Sequence, residues 1–179
     1  MGSYLNPGGG MFKACLRSKI YVDKSGLIAK TNEVLGTEQR FVCVSRPRRF
    51  GKSMAANMLA AYYGRGEDSA ELFSALRIHT DKSFREHLNQ YDVIHLDIQW
   101  CMEPAGGPEN VVSYITEKTI LELRNYYPEI LPDSISSLPE ALSCINTATG
   151  QKFVVIIDEW DVLIRDASTD LVVQEEYIN

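Results

Sequence analysis

An α/β fold with a mostly parallel sheet is what this sequence predicts, and three observations predict it. Short apolar runs at 40–45, 93–98 and 152–157 are separated by segments of helical period, the pattern of βα units. The first run leads through a Gly-Lys-Ser loop into a helical segment. The third ends in two adjacent carboxylates, Asp158 and Glu159. Both candidate sites therefore fall just past carboxyl ends of strands, where open α/β sheets bind ligands.

Residues 1–18 read as a polar, Gly-rich lead-in with little core value, ahead of one domain over 19–179. Tyr21-Val22-Asp23-Lys24-Ser25-Gly26-Leu27-Ile28 opens a weakly helical stretch to about Gly36. Arg40–Ser45 is the first strand; after the loop a helix runs to about Tyr63, where Gly64-Arg65-Gly66 ends it. Residues 69–76 form a short amphipathic helix with Leu72, Phe73 and Leu76 on one side, and 83–89 a further helix. The second strand, Val93–Ile98, is apolar at most positions and so expected to be buried on both faces. Glu103–Pro108 is a turn-rich loop. Residues 109–126 have helical period through Val112, Ile115, Ile120 and Leu123, and the stretch from Pro128 to Pro132 breaks it. Residues 138–147 form a helix capped by Ser136 or Ser137, and Lys152–Ile157 is the third strand.

Composition bounds the function. Hydrophobic residues are 45% and charged residues 23%, which is globular rather than disordered. No apolar run approaches the roughly 20 residues of a membrane helix, and the N-terminus has no signal-peptide pattern. Cys15, Cys43, Cys101 and Cys144 are scattered without a C-x-x-C pair, so reduced thiols and a cytoplasmic location are expected. His79, His87 and His95 recur every eight residues, which is not a same-face spacing, and no metal site is read from them. The net charge of −6 makes the chain a poor neutraliser of nucleic-acid phosphates, so no direct nucleic-acid contact is expected.

The positive charge is local instead. Arg46, Arg48, Arg49 and Lys52 put four cations within seven residues, in the string Arg46-Pro47-Arg48-Arg49-Phe50-Gly51-Lys52-Ser53. Gly51 lets backbone approach a phosphate, the Lys52 amine reaches β- and γ-phosphates, and the Ser53 hydroxyl ligates Mg²⁺. Asp158 is the matching Mg²⁺ organiser and Glu159 the base that activates water. ATP and Mg²⁺ are the expected ligands. Arg46 stands where the phosphate-loop pattern G-x-x-x-x-G-K-[ST] has its first Gly, and an Arg tolerates that turn less well. A basic surface turn is the plainer reading of the loop, and a helix cap the plainer reading of Asp158-Glu159. Asp161 is either a residue behind the ligands or a cap. Trp160 is read as core.

The strings Tyr21–Ser25, Arg46–Ser53, Val93-Ile94-His95-Leu96-Asp97 and Ile156-Ile157-Asp158-Glu159-Trp160-Asp161 together resemble the AAA-ATPase-like family over about residues 10–179. That family carries Arg in place of the first Gly. The resemblance implies a P-loop NTPase-like three-layer sandwich that hydrolyses ATP. It also implies a strand order 5-1-4-3-2 and, in many members, a C-terminal PD-(D/E)XK nuclease-like domain. On that numbering the chain is truncated after the third core strand, a fragment expected to turn over no ATP alone. A nucleotide-binding switch with vestigial hydrolysis is the alternative, as is the ATPase part of a nuclease-associated protein. Arg48 and Arg49 either touch phosphate or reach a neighbouring subunit of a homo-oligomer. Tyr21–Ser25 either borders the adenine, as the resemblance implies, or packs.

Overall fold

Two of the three expected strands form, and they pair with each other. In the computed structural model, which describes residues 2–45, 47, 49–166, 175 and 177, β1 (Asp92–Asp97) and β2 (Phe153–Asp158) make a two-stranded parallel sheet. The expected strand at 40–45 is not one. A strand exists through its ladder, and this run has none among the described residues. Its apolar side chains face outward, Phe41 being 83% exposed under the Arg40 guanidinium, with Val42 and Val44 exposed as well. The other elements are helical. α1 is Gly10–Leu16, α2 Gly26–Val34, α3 Lys52–Tyr63, α4 Phe84–His87, α5 Ile98–Ala105, α6 Val111–Tyr126, α7 Leu138–Thr149 and α8 Val162–Asp166.

The chain divides into two units, Asn6–Val93 and Gly2–Leu5 with Ile94–Asn179. The core of the first is aromatic. Phe12, Phe73, Tyr62, Tyr63 and Phe84 are fully buried, with Phe12 stacked on Phe73 at 5.2 Å and Tyr62 edge-on to Phe73 at 5.5 Å. The amphipathic segment at 69–76 makes a 3-10 turn, Ala70–Phe73, and a second 3-10 turn follows at Arg77–Thr80. A polar network binds the helices. The Tyr63 hydroxyl meets Thr31 Oγ1 at 2.6 Å and donates to Asn32 Oδ1 at 2.7 Å. Asn32 Nδ2 donates to the Tyr62 hydroxyl at 3.1 Å and to Ser83 Oγ at 2.9 Å, and the Tyr62 hydroxyl donates to the Phe84 carbonyl at 2.8 Å. At the end of α3, Asn89 Nδ2 donates to the Gly64 carbonyl, closing the helix terminus.

The second unit has an aliphatic core. α6 buries Val111, Ile115, Thr119 and Leu123, a spacing of four that lines one face. Against it lie Ile94 and Leu96 of β1, Ala141 and Ile145 of α7, and Val162 and Leu163 of α8. The turn-rich stretch expected at 103–108 is partly helix: α5 runs through Pro104 to Ala105, and the chain then turns at Gly106 and Gly107, both at positive φ. β2 keeps one apolar side open, since Val155 and Ile157 are exposed while Asp158 is buried.

The opening residues do more than a polar lead-in would. Leu5 and Phe12 are both fully buried, one in each unit. Leu5 makes an antiparallel bridge to Ile94, and the His95 N–H donates to the Tyr4 carbonyl at 2.9 Å. A single carboxylate anchors this strap: Glu122 of α6 accepts from the N–H groups of Ser3, Tyr4 and Leu5 at 2.8, 2.9 and 2.8 Å. Hydrogen bonds to a charged group contribute more than neutral ones. Glu122→Ala is therefore expected to destabilise the protein by about 1–3 kcal/mol, read as a lower urea midpoint, with Glu122→Gln intermediate.

Candidate functional site

In the first unit the loop that precedes α3 bends through two left-handed residues, Arg49 at φ 68° and Gly51 at φ 74°. Gly adopts that conformation without a steric cost; for Arg it stores strain of about 1–3 kcal/mol, a kind that clusters at ligand sites. Gly51 is the N-cap residue of α3 and, as a glycine, contributes no side-chain cap. The first-turn N–H groups of any helix have no carbonyl partners within the helix, which makes a helix start of this length a potential anion site when a cation stands beside it. Lys52 and Ser53 are the first two residues of α3, and Ser53 is exposed. Phe50 is exposed as well. Arg46 and Arg48 lie outside the described residues.

Segment 21–25 frames this loop. Asp23 Oδ1 accepts from the Ser25 N–H at 2.8 Å and Asp23 Oδ2 from the Arg77 N–H at 2.9 Å. Partial burial works against the Asp23 charge, but the bonds from Arg77 and Ser25 outweigh it and hold the carboxyl below its ordinary value. Ser25 is fully buried, and its Oγ accepts from the Ile78 N–H at 3.1 Å. Between these two anchored residues, Lys24 sends its amine to the Phe50 carbonyl in the loop. The contact has no counterpart in the sequence-based expectations.

In the second unit, Asp158 ends β2 and is buried, with Oδ1 accepting from the Glu159 N–H at 3.0 Å. Glu159 is left-handed at φ 51°, the same conformational cost as at Arg49, and its carbonyl accepts from the Val162 N–H at the start of α8. Asp161 is exposed, 3.5 Å from Arg165 one turn along. Trp160, expected in the core, is 48% exposed, and its carbonyl accepts from the Tyr177 hydroxyl at 2.9 Å. Its place on the turn after β2, with α8 burying Val162 and Leu163 instead, accounts for the difference.

The parallel partner brings two further groups toward the carboxylates. Asp97, at the end of β1, caps α5 by accepting from the Trp100 N–H at 3.2 Å. Burial pushes its carboxyl above the ordinary range and the nearby charges of Asp158 and Glu159 push the same way, against the bonds from Trp100 and Gln99. Burial pushes His95 down, against an opposing effect from Asp158, and its Nε2 has no hydrogen-bond partner among the described residues. Asp97 was legible in principle: it ends an apolar strand just as Asp158 does. Among the described residues no three His, Cys, Asp or Glu side chains gather as a metal site. Mg²⁺ does not require such a cage, since it takes one or two carboxylates with substrate phosphates and water. In the second unit, Asp158 is a buried carboxylate of the kind such a sparse donor set uses.

The model of the predicted AAA-ATPase family matches residues 12–179, nearly the whole chain. The chain belongs to the predicted AAA-ATPase family. No curated protein and no solved structure matches it. No helix among the described residues is long and apolar enough to cross a membrane.

A carboxyl held above its ordinary value favours the folded state when protonated, and that advantage is lost as pH rises through the raised folded value. Asp97→Asn keeps an acceptor for the cap and removes the charge. Relative to this variant, the wild type is expected to lose stability between pH 4 and pH 7. Paired thermal scans at the two pH values check the sign.

Proposed function

We propose that this chain is an ATP·Mg²⁺-binding module of P-loop type that hydrolyses ATP in the complete protein. One observation carries the reading: a left-handed glycine, Gly51, is the N-cap of a helix whose first two residues are Lys52 and Ser53. That combination supplies backbone donors, a helix dipole and a cation at one point, which is what a polyphosphate requires. The family membership supports nucleotide as the ligand. The pairing of the second and third expected strands is also the adjacency that a 5-1-4-3-2 order requires, which favours the P-loop sandwich.

Each residue has a role in this reading. Lys52 holds the β- and γ-phosphates. Arg49 adds positive charge at the bend, with Arg46 and Arg48 supplying more, and Phe50 and Gly51 shape the loop. Ser53 and Asp158 are the groups that would hold Mg²⁺, which when bound neutralises charge developing on the phosphates. Glu159 takes a proton from water and aims it. A binding switch without turnover is favoured by one feature, Arg46 in the place of the loop's first glycine.

Two substitutions test the proposal in the full-length protein. Lys52→Ala removes a charge-assisted contact and is expected to weaken ATP·Mg²⁺ binding by tens of fold, measured by calorimetry. Unchanged affinity would refute the phosphate-loop reading. Glu159→Gln is expected to retain ATP while hydrolysis falls about 10²–10⁴-fold, since a positioned base contributes that much. Normal turnover in Glu159→Gln, or no turnover in the wild type, replaces the enzyme reading with the switch.

A further inference from the structure

We propose that Lys24 is a positioning residue of the phosphate loop: its ammonium holds the Phe50 carbonyl and so aims the Arg49–Gly51 bend that receives polyphosphate. The inference rests on the phosphate-loop reading above and deepens it. It starts from where Lys24 is held. Its neighbours on both sides are tied to the same 3-10 turn, Asp23 through the Arg77 N–H at 2.9 Å and Ser25 through the Ile78 N–H at 3.1 Å. The Lys24 carbonyl is also engaged, by the Leu27 N–H at 2.9 Å as α2 begins. With its backbone fixed, the side chain of Lys24 is half-buried and its amine meets the loop.

The carbonyl it holds is not an arbitrary one. Phe50 lies between Arg49 and Gly51, both left-handed, so its peptide group sets the direction in which the chain enters α3. A donor fixed from outside selects one orientation of that peptide among those a loop can adopt. The amine also sits 2.7 Å from where a Cβ at Gly51 would stand, which places a second lysine against the residue that precedes Lys52. A cation there adds to the local positive potential without competing with Lys52 for the helix start. The two lysines differ in kind: Lys52 belongs to the helix, Lys24 to a frame anchored elsewhere in the same unit.

The test compares Lys24→Met, Lys24→Arg and Lys52→Ala in the full-length protein by calorimetric titration with ATP and Mg²⁺, alongside thermal unfolding. Methionine keeps the stem and removes the donor and charge. Lys24→Met is expected to weaken binding about tenfold, Lys24→Arg to recover most of it, and both to unfold within a degree or two of the wild type. If Lys24→Met binds as the wild type does while Lys52→Ala loses affinity, the role of Lys24 is wrong and the phosphate-loop reading stands. If Lys52→Ala also binds normally, both fall. A loss of affinity that tracks a lowered unfolding midpoint and is not rescued by arginine assigns Lys24 to general stability and overturns the positioning role.

Discussion

Two tyrosine hydroxyls buried at the end of α3 must find hydrogen-bond partners, and the arrangement of the first unit follows from meeting that demand. A buried hydroxyl left unpaired costs about 1–3 kcal/mol, a large share of a domain's net stability. Tyr63 is satisfied by Thr31 and Asn32 of α2, and Tyr62 by Asn32 and by the backbone entering α4. Three helices are thereby held in one register by side chains whose ionisation burial has made difficult, Tyr62 being pushed up to about 12. Lys24 lies just ahead of the N-cap of α2, and Lys52 is the first residue of α3. Fixing the C-terminal end of α3 against α2 thus fixes what reaches the loop at its other end.

A common physical device recurs in the two units, each taken by itself. Where a side chain must be presented at the end of an element, the backbone there takes a conformation that costs energy. Arg49 and Glu159 are both non-glycine residues at positive φ, and each lies at a turn entering a helix. Neighbouring bonds hold them in place: the Lys24 amine on the Phe50 carbonyl, and Asp158 Oδ1 on the Glu159 N–H. Strain of this sort persists only where the surroundings over-determine it.

Much of this was legible in the sequence because it is local. The Gly-Lys-Ser junction announces a helix start, and α3, α6 and α7 follow from their periodicity and their Gly, Pro and Ser boundaries. What sequence could not give was non-local. Residues 40–45 have the composition of a strand, but composition cannot supply a ladder partner. The lead-in looked polar because its value lies in two isolated residues, Leu5 and Phe12, and in backbone donors that Glu122 collects from far along the chain. Lys24 escaped notice for the same reason, since a single lysine in a motif does not declare which carbonyl 26 residues away it will hold.

The anchoring of the strap on Glu122 also sets an order of events in time. Ser3 and its acceptor are 119 residues apart. At a synthesis rate of about 5–20 residues per second, Ser3 waits roughly 6–24 s before its partner has even been polymerised. The large aromatic residues of the first unit's core, Phe12, Tyr62, Tyr63, Phe73 and Phe84, all lie within Asn6–Val93. During biogenesis the protein therefore passes through a stage in which its first unit has all its residues while the N–H groups of Ser3, Tyr4 and Leu5 still lack the carboxylate that collects them. That interval is when a chaperone would find three backbone donors that the finished fold claims for one side chain.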